Sequence, residues 1–148
     1  MPEKLFFLVI AAISGSIMAI QGSLNSVLGK LVGLWEATFI VHVIGTIILT
    51  VVIFGLKLGH ENWATLTQAP WYVYLGGLLS IGIVYAVAMS IPKLGVATAT
   101  TAIIVGQVST ALLVDQFGLF GLARLGINWT QIVGLILLAL GARLLLSN

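Results

Sequence analysis

Of 148 residues, 60% are hydrophobic and only 7% charged, against about 25% charged residues in soluble domains, so a soluble module is excluded and one compact membrane domain, residues 1–148, is expected. The net charge of +2 comes from scattered basic residues, whereas a nucleic-acid surface needs clustered Lys and Arg. The chain has no cysteine, which removes disulfides and thiolate metal sites.

Five apolar runs reach the length of about 20 residues that a bilayer crossing needs: residues 5–28, 35–58, 71–91, 96–117 and 129–146. The first lacks a basic n-region and an A-x-A-like cleavage site and is read as a retained helix. Its second half is dense in small and polar residues. At about 100° per residue, Ser14, Met18, Gln21 and Asn25 share one face. Gly15, Ala19, Gly22, Ser26 and Gly29 form a neighbouring stripe that would let another helix backbone come close. An unpartnered amide in hydrocarbon costs about 2–7 kcal/mol, so the polar face is expected to line a cavity inside a bundle. The plainer alternative is that Gln21 and Asn25 only join helices.

The second run opens with Glu36, near a helix N-terminus where the dipole favours a carboxylate. His42 follows, with Thr46 and Thr50 at i+4 and i+8 on the same face. His42 would either hydrogen-bond a neighbouring helix or touch a substrate. Neither a second histidine nor an acid lies three or four residues from it, so no metal site is expected. Trp35, Trp71 and Trp129 each begin a span and Trp63 lies in a connection, the pattern of an aromatic belt at the headgroups. Pro70 suits the first position of the third helix. Within that helix Gly76 and Gly77 permit close packing, Ser80 lies in the span, and Tyr85 could turn its hydroxyl into a cavity.

Residues 92–95, Pro-Lys-Leu-Gly, read as a tight breaker that would fold the third and fourth helices into an antiparallel hairpin. Residues 30–33 read as a similarly short turn. In the fourth helix Thr100, Ile103, Gln107 and Thr110 share a face, with Gln107 near mid-span beside Gly106. Threonine hydroxyls can bond their own preceding carbonyls, so the amide is the stronger signal. Asp115 sits in the last turns, where the dipole disfavours it, and needs a partner, water or a proton. With Glu36 it is a candidate for proton coupling. The semi-apolar connection 116–128 is expected at the membrane interface, and Asn128 is placed to cap the fifth helix.

Enzyme motifs are missing: there is no HExxH, GxSxG, P-loop or pair of carboxylates within reach of one another, so neither catalysis nor a cofactor is expected. Five spans put the termini on opposite sides. Lys4, Lys57 and Arg124 then fall on one side and Lys30, Lys93 and Arg143 on the other, a balance that sets no preferred orientation. An odd helix count leaves no room for two equal inverted repeats in one chain, the device by which small membrane transporters often build a midplane site. A second copy inserted upside down would supply the missing repeat.

The segments Gln21-Gly-Ser-Leu-Asn25 and Ile91-Pro-Lys-Leu-Gly-Val-Ala, followed by Gly106-Gln107 and Asp115-Gln-Phe-Gly118, resemble the YdcZ-like branch of the drug/metabolite transporter superfamily across essentially the whole chain. The last helix, with Gly134 and Gly141 seven apart, is similar to that of small multidrug resistance transporters, where paired glycines mediate dimerisation. The resemblance implies a multi-pass transporter of the bacterial inner membrane that works as an antiparallel pair, with Gly134 and Gly141 at the dimer contact. One departure bears on mechanism. Multidrug and guanidinium exporters carry a central glutamate in helix one, where this chain has neutral Gln21 and Asn25, which argues against their cation–proton antiport.

The expectation is therefore an all-α integral membrane protein with five transmembrane helices per protomer in a dual-topology, antiparallel homodimer. It would move a small neutral or zwitterionic solute by alternating access. Gln21, Asn25, Gln107, His42, Tyr85, Ser14 and Thr110 are the candidate solute contacts. Its partners would be a second copy, the bilayer and the solute, with no nucleic acid. Two rivals are a dual-topology ion channel like the small fluoride channels and an accessory subunit that binds no solute. The phenylalanines stand mostly toward span ends (Phe6, Phe7, Phe39, Phe54, Phe117, Phe120), unlike the Phe- and Thr-rich track of such channels.

Overall fold

A computed structural model describes residues 2–59 and 63–146. Regular structure among the described residues is entirely helical. In chain order it comprises α1 (Pro2–Val32), α2 (Leu34–Thr50) with a π-helical continuation Val51–Gly55, 3-10 segments at Trp63–Gln68 and Trp71–Tyr74, α3 (Leu75–Leu94), α4 (Val96–Phe117), a short turn Leu119–Gly121, and α5 (Trp129–Leu146). Four segments, Glu3–Val32, Leu34–Gly55, Trp71–Leu94 and Val96–Phe117, are long and apolar enough to cross a bilayer. The fifth helix is apolar but shorter, about 27 Å at 1.5 Å per residue against a hydrocarbon core of about 30 Å. The protein is an α-helical integral membrane protein.

Two compact units divide at Pro92/Lys93. In the first, α1 packs on α2, and α3 meets α1 at Gly22. A Cβ built on Gly22 would lie 2.9 Å from Val87 Cγ1 and 3.2 Å from Ile91 Cδ1, so the missing side chain is what lets these α3 residues close on α1. The rest of the small stripe is used unevenly: Ser26 is buried, whereas nothing would meet a Cβ on Gly15. In the second unit α4 packs on α5. The buried residues of the protein are small or polar, chiefly Asn25, Ser26, Ala37, Thr38, Ala88, Ala99 and Ala142, joined by Ile91. Among the described residues no large side chain is fully buried. Leu, Ile, Val and Phe point outward instead, because lipid solvates them as well as a protein interior would.

The helix boundaries depart from the sequence reading at the turns. Gly33 alone separates α1 from α2, with φ 103, a backbone conformation that suits glycine, and a Cβ there would strike the Glu36 carboxylate. The expected turn over 30–33 is therefore one residue, and α1 runs on to Val32. Pro92 does not end α3: it lies inside the helix, which continues to Leu94. Its ring removes only one backbone bond close to the helix end, and the break falls at Gly95 with φ 82. The second span leaves α geometry at Val51 and the third begins as a 3-10 turn after Pro70.

The connection after α4 is tied down. Gly118 takes the left-handed conformation at the helix end. The chain then turns back so that Leu125 N–H donates to the Asp115 carbonyl (2.8 Å) and Arg124 Nε to the Gln116 carbonyl (2.9 Å). The Gln116 side-chain oxygen accepts from Ile127 N–H at 2.7 Å. Phe120, Leu122 and Leu125 remain exposed on this connection. Asn128 caps α5 reciprocally: its Oδ1 accepts from Gln131 N–H (3.1 Å), and Gln131 Oε1 accepts from Asn128 N–H (2.9 Å), a capping box. Trp63 stacks on Phe54, ring centres 5.8 Å apart.

Candidate functional site

The polar face of α1 divides along its length. Ser14 is exposed and donates to its own Ile10 carbonyl at 3.0 Å. Met18 and Gln21 are exposed, whereas Asn25 is buried at 7%. Among the described residues no enclosed side-chain nitrogen or oxygen lacks a partner, and no hydrogen bond is formed by the Asn25 amide, so that amide opens onto accessible surface. Gln21 and Asn25 thus share a helix face but not an environment.

On α2 four side chains form a polar rail. Thr38 Oγ1 donates to the Leu34 carbonyl (2.7 Å), His42 Nδ1 to the Thr38 carbonyl (2.7 Å), Thr46 Oγ1 to the His42 carbonyl (2.8 Å) and Thr50 Oγ1 to the Thr46 carbonyl (2.8 Å). The rail ends where the helix widens into its π-helical segment, a local geometry often found at functional sites. The other ring nitrogen of His42 reaches α3, with Nε2 3.0 Å from Ser80 Oγ. His42 therefore makes an interhelical contact from a half-buried position. Thr38, buried at the head of the rail, escaped the sequence reading, although its place four residues before His42 was a usable signal.

Tyr85 is half-buried and its ring lies on Trp35, centres 4.4 Å apart at 34°. Trp35 thus also makes a contact between α2 and α3. Glu36 is exposed in the first turn of α2, its carboxylate folded over Gly33.

In the second unit an open groove of about 570 Å³ runs along α4, lined by Ile103, Gly106, Gln107, Thr110, Val114 and Asp115, together with Ala111. Gly106 and Gln107 both line it, and a Cβ on Gly106 would meet no described atom within 4 Å. Asp115, half-buried, lies at the same groove as Gln107 and Thr110, an association that the spacing of eight residues from Gln107 allows but does not require. On α5 no described residue lies within 4 Å of a Cβ built on Gly134 or Gly141, so α4, the neighbour within this unit, does not close on either glycine. Among the described residues no three His, Asp or Glu side chains converge as metal ligands would.

Bilayer-length apolar helices, small and polar residues inside and large apolar ones outside define a multi-pass membrane protein. Residues 6–144 match the family described as "Putative inner membrane exporter, YdcZ", and the chain belongs to that family. It is accordingly a membrane transporter, multi-pass in the inner membrane. Neither the curated proteins nor the solved structures give a match.

Proposed function

We propose that the protein exports a small neutral or zwitterionic solute by alternating access, as an antiparallel homodimer. The observation that carries this reading is the chemistry of the groups set within the spans. Gln21 and Asn25 on α1 and Gln107 and Thr110 on α4 are uncharged donors and acceptors, and Gln107 and Thr110 open onto a groove. Amides offer both a donor and an acceptor, which suits a polar solute without net charge and supplies no counterion for an organic cation. Ser14, His42 and Tyr85 are further candidate contacts. Asp115 and Glu36 are the acids available for coupling.

The antiparallel arrangement draws on two features. Basic residues divide three against three between the two sides, and the Gly134/Gly141 flank of α5 is open to a second copy. Inverting that copy supplies the inverted repeat on which midplane sites are commonly built.

The test is a stabilisation screen of the purified protein against neutral, zwitterionic and cationic solutes, since a true ligand raises apparent stability by mass action. Flux in proteoliposomes follows. A zwitterionic or neutral solute should be carried at a saturating rate. Channel-like rates would overturn alternating access, and selective stabilisation by cations would overturn the solute class.

A further inference from the structure

The last carbonyls of α4 have no partners within the helix, and the chain that folds back to serve them also fixes an arginine. The Gln116 carbonyl accepts from Arg124 Nε at 2.9 Å, the Asp115 carbonyl from Leu125 N–H at 2.8 Å, and the Gln116 side-chain oxygen from Ile127 N–H at 2.7 Å. Gly118 lets the arginine come this close, because a Cβ there would stand 3.2 Å from Arg124 Cβ. A surface arginine ordinarily swings through many rotamers. This one is held at Nε, and its two Nη groups, with four hydrogens between them, have no protein partner among the described residues. Asp115 does not take them: its side chain lines the groove of α4 and forms no ion pair with Arg124.

The depth of Arg124 follows from the helices on either side. α4 is a bilayer-length span that ends at Phe117, and α5 re-enters the apolar region from Trp129, so the connection between them lies at the level of the headgroups. Beside Arg124 the side chains of Phe117, Phe120, Leu122 and Leu125 are exposed. The Phe120 ring stands out from left-handed backbone, φ 60, a conformation that carries strain in any residue with a side chain. Paired guanidinium donors fit a phosphate, and exposed apolar side chains at this depth fit hydrocarbon. A phospholipid brings both in one molecule. Inorganic phosphate would leave the apolar side chains unmatched.

We propose that the connection 116–128 is a phospholipid-binding site: the two Nη groups of Arg124 hold the lipid phosphate, and Phe117, Phe120, Leu122 and Leu125 lie against its glycerol and upper chains. The bonds to Gln116 and Asp115 position the guanidinium before the lipid arrives, so little side-chain freedom is lost on binding. An anionic headgroup such as that of phosphatidylglycerol suits the single positive charge. The site uses neither Gln107 nor Thr110 and does not rest on the transport reading.

The experiment uses the full chain labelled with 15N-arginine, with Arg143→Lys leaving Arg124 as the one arginine. In phosphatidylglycerol liposomes made in phosphate-free buffer, 15N–31P dipolar contact is read by solid-state NMR. Both Nη signals should be strongly dephased by phosphorus and Nε much less, because Nε is turned to the Gln116 carbonyl. Absent dephasing at Nη, or dephasing of Nε equal to it, overturns the proposal without any change at Arg124. Native mass spectrometry of the detergent-solubilised wild type then titrates phosphatidylglycerol, diacylglycerol with the same chains, and inorganic phosphate. Phosphatidylglycerol should bind saturably. Arg124→Gln should weaken it about tenfold or more, the range of hydrogen bonds to a charged group, and Arg143→Gln should not. Equal binding of diacylglycerol, displacement of the lipid by inorganic phosphate, or unchanged affinity in Arg124→Gln overturns the proposal. So does loss of a second copy rather than of lipid in that variant, which would make this face a contact between copies.

Discussion

Gly22 shows how one missing methyl group sets a helix contact. With Val87 Cγ1 only 2.9 Å from where a Cβ would sit, Gly22→Val should destabilise the purified protein by about 1–3 kcal/mol through overpacking. Val87→Ala should recover part of that loss, both read from thermal unfolding in detergent. Gln21 is the opposite case. It is exposed within the protomer, so Gln21→Leu should leave the fold and the dimer intact while abolishing solute flux. Normal flux in Gln21→Leu would remove α1 from the proposed solute path. Of the two acids that touch the spans, Asp115→Asn should uncouple flux from a pH gradient; an unchanged pH dependence in both Asp115→Asn and Glu36→Gln would remove the acids from coupling.

The helices owe their ends to particular residues more than to changes in hydrophobicity. α4 stops because Gly118 enters the left-handed region at φ 60 and the following connection folds back onto the carbonyls of Asp115 and Gln116. A Cβ on Gly118 would lie 3.1 Å from the Leu122 carbonyl oxygen, and a left-handed residue with a side chain carries about 1–2 kcal/mol of its own strain. Gly118→Ala should therefore cost at least that much and speed hydrogen exchange at Leu125 and Ile127, whose N–H groups hold the connection. Exchange rates unchanged from wild type would mean that the connection is held by something other than this turn. At the start of α5, Asn128→Ala should cost about 1 kcal/mol by removing the cap.

Orientation in the membrane is decided by charges so few that two or three additions should reset it. C-terminal reporters that work only on opposite sides of the membrane should both be active on the wild-type chain. Adding two or three lysines within 116–128 should silence one of them, because the positive-inside rule then acts on one side only. A single active reporter on the wild type would end the antiparallel homodimer and with it the inverted-repeat argument. The Gly134/Gly141 flank of α5, where no described residue comes within 4 Å of an added Cβ, supplies the companion test: Gly141→Leu should dissociate the pair, measured by mass photometry in detergent.

Much of the architecture could be read from residue order because lipid imposes a simple requirement, an apolar run long enough to span with its backbone bonds closed within it. The runs starting at Trp35, Trp71, Val96 and Trp129 follow from that requirement, as does the capping of α5 by Asn128. Polar residues set within a span were legible for the same reason, since hydrocarbon makes Gln21, Asn25 and Gln107 conspicuous. Which way each of them looks was not legible, because helical spacing defines a face but not the neighbour that covers it. Packing of α3 on Gly22 buries that level of α1 and leaves Gln21 outside. Likewise the pairing of His42 with Ser80, 38 residues apart in sequence, has no local signature: it exists because the tertiary fold brings a side chain of α2 to one of α3.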